Sequence, residues 1–519
     1  MIKKQFLNSI TFLQIYSFLT TAIYGCFFFI HYLNRNLSPF YLPLCFIIIW
    51  QALFILFSLF PRNILKTLCM FLLIGNAIAF YFMYAYHVPI DKIMIMNALQ
   101  TDQAEASEII NINLIATILI LGILPVTWIG LKTVIHPCSF QRTIKSIILS
   151  LSIILTCCIL APSQTSKLMH HFKYLQIYLP PINYLTSGGQ IIVEKLTPQP
   201  PLQRLTDDIK KTEISGKPNL IVFIVGETTR SANFSLNGYH RPTNQALTPY
   251  LKDIIYYPDT RACGTSTAIS VPCIFSVYNQ KQFQSGSEEY TENVLDIFKK
   301  AGYQVRWFDN DGGCKSVCNR VFYEEPCQNK TCSDNILLND LKNTIQKSKK
   351  NQLIILHTRG SHGPSYHLRY EKEDDLYAPI CTKYDIWNCT PEELVNVYDN
   401  TVHYVSRFIA KTIDILKSLE QEYNPSLIYT SDHGESLKED GLFLHSAPME
   451  TAPKYQTEVP LLIWLPQNNL YHLNKQCLKN KASQNRYSHD NIFHSLLGLG
   501  NIKSTHYQRE LDIFAKCKK

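Results

Sequence analysis

The sequence predicts an α-helical membrane domain of five spans followed by an α/β domain with a mostly parallel sheet. Three observations carry this reading. Residues 1–162 are dominated by Ile, Leu, Phe and Tyr and contain five long apolar runs. The rest of the chain has the composition of a soluble protein, with short apolar runs alternating with helix-like stretches. Ten of the sixteen cysteines lie in that second part, many of them closely spaced. A length of 519 residues also predicts more than one domain.

The apolar runs cover residues 6–30, 40–60, 65–86, 112–131 and 144–160. Each is near the ~20 residues needed to cross a ~30 Å hydrocarbon core. Lys3 and Lys4 precede the first run, Arg62 and Lys66 lie between the second and third, and Lys132, Arg142 and Lys145 lie between the fourth and fifth. Arg35 and Lys92 are the few basic residues on the other side. The positive-inside rule therefore places the N-terminus in the cytoplasm, and five spans place everything after Leu160 outside. The first run is too long for a cleavable signal peptide and no clear small-residue cleavage site follows it. The net charge of +8 comes without a basic block, a zinc-finger spacing or an RNP pattern, which argues against nucleic acid as a partner.

Between the third and fourth runs, within an outer loop over 88–111, lies DKIMIMNALQTDQAEASE, residues 91–108. Its acids Asp91, Asp102, Glu105 and Glu108 would each cost ~2.5–3.5 kcal/mol at mid-bilayer, so the segment belongs at or above the outer surface. Asn97, Thr101 and Glu105 recur every four residues and would share a helical face. That face suits either solvent or a lipid headgroup whose amine meets the carboxylate. Residues 163–218 then read as an amphipathic connector and linker, with TPQPP at 197–201 favouring extended chain.

From residue 219 to the end the pattern is α/β. Buried-strand runs at 219–225, 304–308, 353–357 and 426–429 are separated by helix-like stretches such as 291–301 and 391–420. Ligands in such folds collect at the carboxyl ends of the strands. The polar clusters GETTR, DND, TRGSHG and SDHGES stand there. In an extracytoplasmic domain, close-set cysteines read as disulfides. The simplest pairing joins neighbours: 263–273, 314–318, 327–332, 381–389 and 477–517. The spacing leaves connectivity open, and a structural zinc on Cys314, Cys318, Cys327 and Cys332 is the competing reading.

Glu227 follows the first strand, and Asp432 and His433 follow the fourth. Two carboxylates and an imidazole suit a divalent first-row ion, most often zinc. The hydroxyl-rich stretch ACGTSTAISVPC, residues 262–273, offers a fourth ligand, expected to be Thr265. A free threonine hydroxyl is a weak nucleophile at neutral pH, and metal coordination activates it. Ser266 and Thr267 read as turn or phosphate-contact residues. His362 in GSHGP and His445 in FLHS are candidates for protonating a leaving oxygen, holding a phosphate or binding a second metal. Lys315 is a candidate for neutralising phosphate charge.

The order GETTR, CGTSTAISVPC, GSHGPSY and SDHGESL with a following LHS resembles the phosphoethanolamine transferases that modify lipopolysaccharide, a family that includes the mobile colistin-resistance enzymes. That family lies in the alkaline phosphatase and sulfatase superfamily, so the resemblance implies an alkaline phosphatase-like (sulfatase-like) periplasmic domain over 219–519. It implies zinc on Glu227, Thr265, Asp432 and His433, with Thr265 carrying the transferred group, and allows a second zinc. It places His362 and His445 on the substrate phosphate or second zinc, Lys315 near that phosphate, and Asn97, Thr101 and Glu105 around phosphatidylethanolamine. Some relatives carry serine where this chain has Gly312. The sulfatase signature C-x-P-x-R is missing around Thr265.

The implied protein is a multi-pass enzyme of the bacterial inner membrane. It moves phosphoethanolamine from phosphatidylethanolamine to lipid A or another lipopolysaccharide acceptor, releases diacylglycerol, and confers polymyxin resistance if lipid A is the acceptor. It is expected to act as a monomer. The alternatives are glycerol-phosphate transfer from phosphatidylglycerol and a non-catalytic, membrane-anchored glycolipid-binding protein.

Overall fold

The computed structural model describes residues 5–25, 51, 54–101, 103–136, 138–205, 208–211, 216–258, 260–327, 332–383, 385–469 and 471–518. The chain forms two compact units, Met1–Ile95 with Ile110–Leu196, and Met96–Ile109 with Thr197–Lys519.

The N-terminal part gives helices α1 (Ser9–Tyr24), α2 (Arg62–Tyr86), α3 (Lys92–Gln100), α4 (Gln103–Ile109), α5 (Ile112–Lys132), α6 (Phe140–Leu160), α7 (Pro162–Leu175) and α8 (Ile182–Leu196). Among the described residues, α2, α5 and α6 are long and apolar enough to cross a membrane. The other two apolar runs, 6–30 and 40–60, extend over residues outside the described part. Asn8 caps α1 by accepting from the Thr11 amide at 2.8 Å. α2 ends where His87 turns left-handed at φ 57°. Within α5 a π turn over Ile118–Ile123 precedes Pro125. Pro125 has no N–H to give the Leu121 carbonyl four residues back. The Tyr24 hydroxyl donates to that carbonyl at 2.6 Å instead. The core of this unit packs Phe12, Leu13, Tyr16, Phe54, Leu65, Cys69 and Leu72.

The face expected across Asn97, Thr101 and Glu105 is interrupted, because α3 ends at Gln100 and α4 begins at Gln103. Both the amide and the hydroxyl of Thr101 turn back to the Asn97 carbonyl, at 2.8 and 2.9 Å, so these two residues still share a turn. Asp102 and the side chain of Glu105 lie outside the described residues.

The second unit is organised on a seven-stranded sheet of β1 (Asn219–Gly226), β2 (Ile254–Tyr257), β3 (Gln304–Asp309), β4 (Phe322–Glu324), β5 (Gln352–His357), β6 (Asn424–Ser431) and β7 (Leu461–Trp464). The spatial order is β2-β7-β6-β1-β5-β3-β4. The run from β6 to β4 is parallel throughout, while β7 is antiparallel to both β6 and β2. Every residue of β1, β5 and β6 is buried, as expected for central strands covered on both faces. Along β1 the alternation divides two cores. Ile221, Phe223 and Val225 join one, with α9 (Thr267–Phe275), α10 (Val294–Lys300) and α12 (Asp490–Leu499). Leu220, Val222 and Ile224 join the other, with α11 (Pro391–Ser418). Thr390 and Glu393 form a capping box at the start of α11, and Pro391 takes its first position.

The four expected strands are all present. β2, β4 and β7 complete the sheet beyond them: β4 is an exposed edge strand, and β7 supplies the antiparallel turn of direction. Five disulfides join 263–273, 314–318, 327–332, 381–389 and 477–517, the neighbour pairing. The alternative zinc site on Cys314, Cys318, Cys327 and Cys332 is excluded, since all four sulfurs are engaged in bridges.

Candidate active site

The parallel register brings four strand ends level. Ser431 pairs with Gly226, Val225 with His357, and His357 with Asp309. The next residues along these strands carry the chemistry. Backbone fit holds them close. A Cβ at Gly226 would lie 2.8 Å from the Tyr429 ring. Gly360, at φ +50°, packs so tightly that a Cβ there would lie 2.6 Å from the Glu227 carbonyl oxygen. That carbonyl accepts the Ser361 amide at 3.0 Å.

Glu227, Asp432 and His433 come together as a fully buried group whose ligating atoms lie within 4.8 Å of one another. His433 Nε2 is 3.4 Å from Glu227 Oε1 and 3.3 Å from Asp432 Oδ2. Its Nδ1 lies 2.9 Å from the Gly434 carbonyl oxygen, which can only accept. Nδ1 therefore carries the proton and Nε2 presents its lone pair to the group. Glu227 Oε1 and Asp432 Oδ2 are buried without a hydrogen-bond partner. Burial, then the charges of Asp432 and Asp311, push the Glu227 carboxyl well above its ordinary range. Burial holds the His433 pKa down to about 4. Converging carboxylates with orphaned oxygens and a neutral imidazole form a donor set that fits a zinc ion.

The expected fourth ligand is corrected. The Thr265 hydroxyl donates instead to the Ala447 carbonyl at 2.7 Å, and among the described residues no hydrogen bond joins it to this group. Thr267 is the hydroxyl that meets the group: its Oγ1 donates to Glu227 Oε2 at 3.1 Å and lies 3.5 Å from His433 Nε2. The reason is where the helix starts. Ser266 is the extended N-cap and Thr267 the first residue of α9, so Thr267 sits at the positive end of a helix dipole. The Cys263–Cys273 bridge ties the entry loop to that helix. Ser270 fixes the helix to the cluster, because its hydroxyl donates to the Asp432 carbonyl at 2.6 Å and accepts the Gly264 amide at 3.0 Å.

Around this centre, the rings of His445 and His433 lie 4.6 Å apart, and those of His362 and His445 5.5 Å apart. His445 Nδ1 is 3.2 Å from Glu435 Oε2, and the other oxygen of Glu435 accepts the Tyr366 hydroxyl at 3.0 Å. Burial, followed by the charge of His445, holds His362 well below its ordinary pKa. Among the described residues, no third ligating side chain joins His362 and His445 in a metal-sized group. Glu227 instead belongs to a second such group, with Asp311 and His357. His357 Nδ1 is 2.8 Å from Asp309 Oδ2, and its Nε2 faces Asp311 Oδ2 at 3.6 Å. Burial alone would raise Asp309, but His357 and the Trp307 indole hold it down to about 2. Burial pushes Asp311 up to about 7 against the pull of His357, Arg359 and Lys315. Lys315 donates to the Gly312 carbonyl at 3.2 Å. The Asn97 amide donates to Ser446 Oγ at 3.0 Å, beside His445.

Sequence reasoning thus gave Thr267 only a turn or phosphate-contact role and missed Asp309, Asp311, His357 and Glu435. Asp309, Asp311 and Glu435 stand inside the polar clusters at the strand ends, so position alone could have nominated them.

Comparison with known proteins shows the family to which the chain belongs. The family model "Phosphoethanolamine transferase EptA/EptB" matches residues 49–196, and the model "Sulfatase" matches 219–502. The chain is 36% identical to "Phosphoethanolamine transferase EptA" of Escherichia coli (strain K12), over 87% of this chain and 85% of that one. It is 33% identical to "Phosphatidylethanolamine transferase Mcr-2" of Escherichia coli, over 85% of each. The solved integral membrane lipooligosaccharide phosphoethanolamine transferase A (EptA) from Neisseria meningitidis superposes with a TM-score of 0.93 at 31% identity, covering 99% of this chain and all of that one. The chain belongs to the phosphoethanolamine transferase family of the sulfatase-like fold.

Proposed function

We propose that this chain transfers phosphoethanolamine from phosphatidylethanolamine to a lipid A phosphate, with Thr267 carrying the group between the two lipids. One observation supports this above others. A threonine hydroxyl at a helix N-terminus stands against a buried group of two carboxylates and an imidazole, two of whose oxygens lack partners. Zinc is the ion this donor set suits, to be held by Glu227, Asp432, His433 and Thr267 Oγ1. When bound it would lower the hydroxyl pKa and offset charge on the phosphoryl oxygens.

The residues divide the work as follows. Thr267 Oγ releases its proton to solvent and forms a bond to phosphorus while the bond from phosphorus to the diacylglycerol oxygen breaks. His445, held beside the Glu435 carboxylate, gives that oxygen its proton as general acid, while His362, kept neutral by burial, contacts the phosphate. Lys315 and the first amides of α9 attract the phosphate. In the second half the acceptor phosphate attacks the same phosphorus, and the threonine oxygen leaves and regains a proton. Asn97, Thr101 and Glu105 remain the candidate contacts for the donor headgroup.

The topology belongs to the same reading: five spans over 1–162, a connector over 163–218, and a catalytic domain over 219–519 in the periplasm of the inner membrane. The basic residues flanking the apolar runs support an inside N-terminus. Five disulfides in the second unit support an oxidising compartment. Adding an ethanolamine to lipid A cancels negative charge that draws in cationic peptides, so polymyxin resistance would follow.

The test is to trap the donor half-reaction and map the adduct by mass spectrometry. Diacylglycerol release from phosphatidylethanolamine with a phosphoethanolamine adduct on Thr267 is the expected result. An adduct elsewhere, or release only from phosphatidylglycerol, overturns the assignment. Mass analysis of lipid A from a host that lacks such enzymes then decides the acceptor.

A further inference from the structure

Glu108 was expected among the surface acids of the segment 91–108. It is instead buried at 8% exposure, against Arg369 at 7%. The two side chains form an ion pair within the second unit. Arg369 uses its fork in two directions. One terminal nitrogen donates to Glu108, and Nε donates to the His362 carbonyl oxygen at 2.8 Å. A guanidinium suits this task because its donors are fixed in one plane. Whatever orients the plane also orients the carbonyl it holds.

The same segment reaches the other histidine loop. Asn97 donates to Ser446 Oγ, and the Ser446 amide donates to the Thr265 carbonyl at 2.7 Å. Met96–Ile109 thus touches both loops that carry the paired rings of His362 and His445. The first half of the His362 loop is fastened to the sheet, through Thr358 to Val225 and Ser361 to Glu227. Its second half is tied back by Arg369.

We propose that Glu108 is a positioning residue for the transfer reaction, setting His362 at the substrate phosphate through the Arg369 fork. This role rests on the functional reading above. Removing the carboxylate leaves a buried guanidinium without its counter-charge, and Arg369 turns to find another partner. The His362 carbonyl then loses the Arg369 Nε donor and the ring shifts relative to His445. A shift of about 1 Å at a group that acts on the reacting atoms costs on the order of 100-fold in rate.

The test is a double-mutant cycle on the full chain in phosphatidylethanolamine vesicles, following diacylglycerol release. Glu108→Gln is expected to lower kcat at least ~10-fold, with KM for the donor changed less and zinc content unchanged. Arg369→Lys keeps the charge but not the fork, and is expected to behave the same way. In a His362→Ala background, Glu108→Gln is expected to cost less than about 2-fold, because its effect runs through the side chain already removed. An equal loss in both backgrounds, or no loss in either, overturns the role. If Glu108→Gln does not accumulate, Glu108→Asp, which keeps the charge on a shorter stem, carries the same cycle. A wild-type chain that releases no diacylglycerol overturns the functional reading and this role with it. An active wild type with a silent Glu108→Gln overturns this role alone.

Discussion

In the first unit, Leu149, Leu151, Leu155 and Ile159 of α6 leave 54–68% of their surface exposed. In the second, Leu220 through Val225 of β1 are each at 0%. Both stretches are rich in apolar residues, and each is stable only where its surroundings are apolar. β1 finds that environment in its own unit, between two cores divided by alternating side chains. α6 does not, and its outward residues are suited to lipid. The cysteines divide in the same way. Those of the second unit are bridged, whereas Cys69, Cys138 and Cys158, the free cysteines among the described residues, all lie in the first. One unit is built to hold a precise site, the other to be solvated by a bilayer. Perturbations should separate them.

The largest separation comes at the site itself. Thr267→Ala should lower transfer by at least ~1,000-fold, since an activated nucleophile has no substitute nearby. Thr265→Ala, which removes only a hydroxyl bonded to the Ala447 carbonyl, should keep most of the rate. Both variants should be inserted and folded as the wild type is, as judged by melting temperature and expression. A Thr267→Ala enzyme with near-normal diacylglycerol release would show that the hydroxyl beside Glu227 is structural.

That contrast also marks what the sequence could tell. The α/β pattern was legible because β1 and β5 are buried on both faces and leave unbroken apolar runs. Glu227, Asp432 and His433 were legible because a parallel sheet delivers its strand ends to one place. The choice between Thr265 and Thr267 was not, because it depends on the residue at which α9 begins, and GTST offers three hydroxyls in a row. Glu108 was hidden for a different reason. Its partner Arg369 lies 261 positions away, and an acid in a polar segment reads as solvated until that partner is seen.

The next effect concerns the second unit alone. The Cys477–Cys517 bridge closes a loop of 40 residues, the longest of the five, and chain entropy values such a loop at about 4 kcal/mol. Cys314–Cys318 spans only 4 positions, worth about 2 kcal/mol on the same basis. Cys477→Ser with Cys517→Ser should therefore lower the melting temperature more than Cys314→Ser with Cys318→Ser. Reductant should destabilise the second unit while the helical first unit keeps its circular dichroism. Equal shifts from the two pairs would mean that loop length is not what governs them.

The third effect falls on the first unit. Leu149 lies mid-way along α6 with 62% of its surface exposed. Leu149→Lys should cost about 2.5–3.5 kcal/mol of insertion free energy, read as a loss of membrane-integrated protein. Lysine at the exposed Leu376 of the second unit should be nearly silent, because that side chain faces water.

The smallest effect compares one kind of bond in the two settings. Tyr24→Phe removes the hydroxyl that serves the Leu121 carbonyl beside Pro125. Thr390→Ala removes an exposed N-cap of α11, whose hydroxyl accepts the Glu393 amide at 3.2 Å. In water the second loss should cost about 1 kcal/mol, the usual worth of such a cap. A low dielectric strengthens the first bond, but a helix in lipid has other partners to turn to, and measured bonds of this kind average ~0.6 kcal/mol. The two variants should thus destabilise by similar small amounts, measured by denaturant unfolding in detergent for the full chain. A Tyr24→Phe loss several times larger would mean that the π turn and Pro125 leave the Leu121 carbonyl no second donor, and that this one hydroxyl holds α5 against α1.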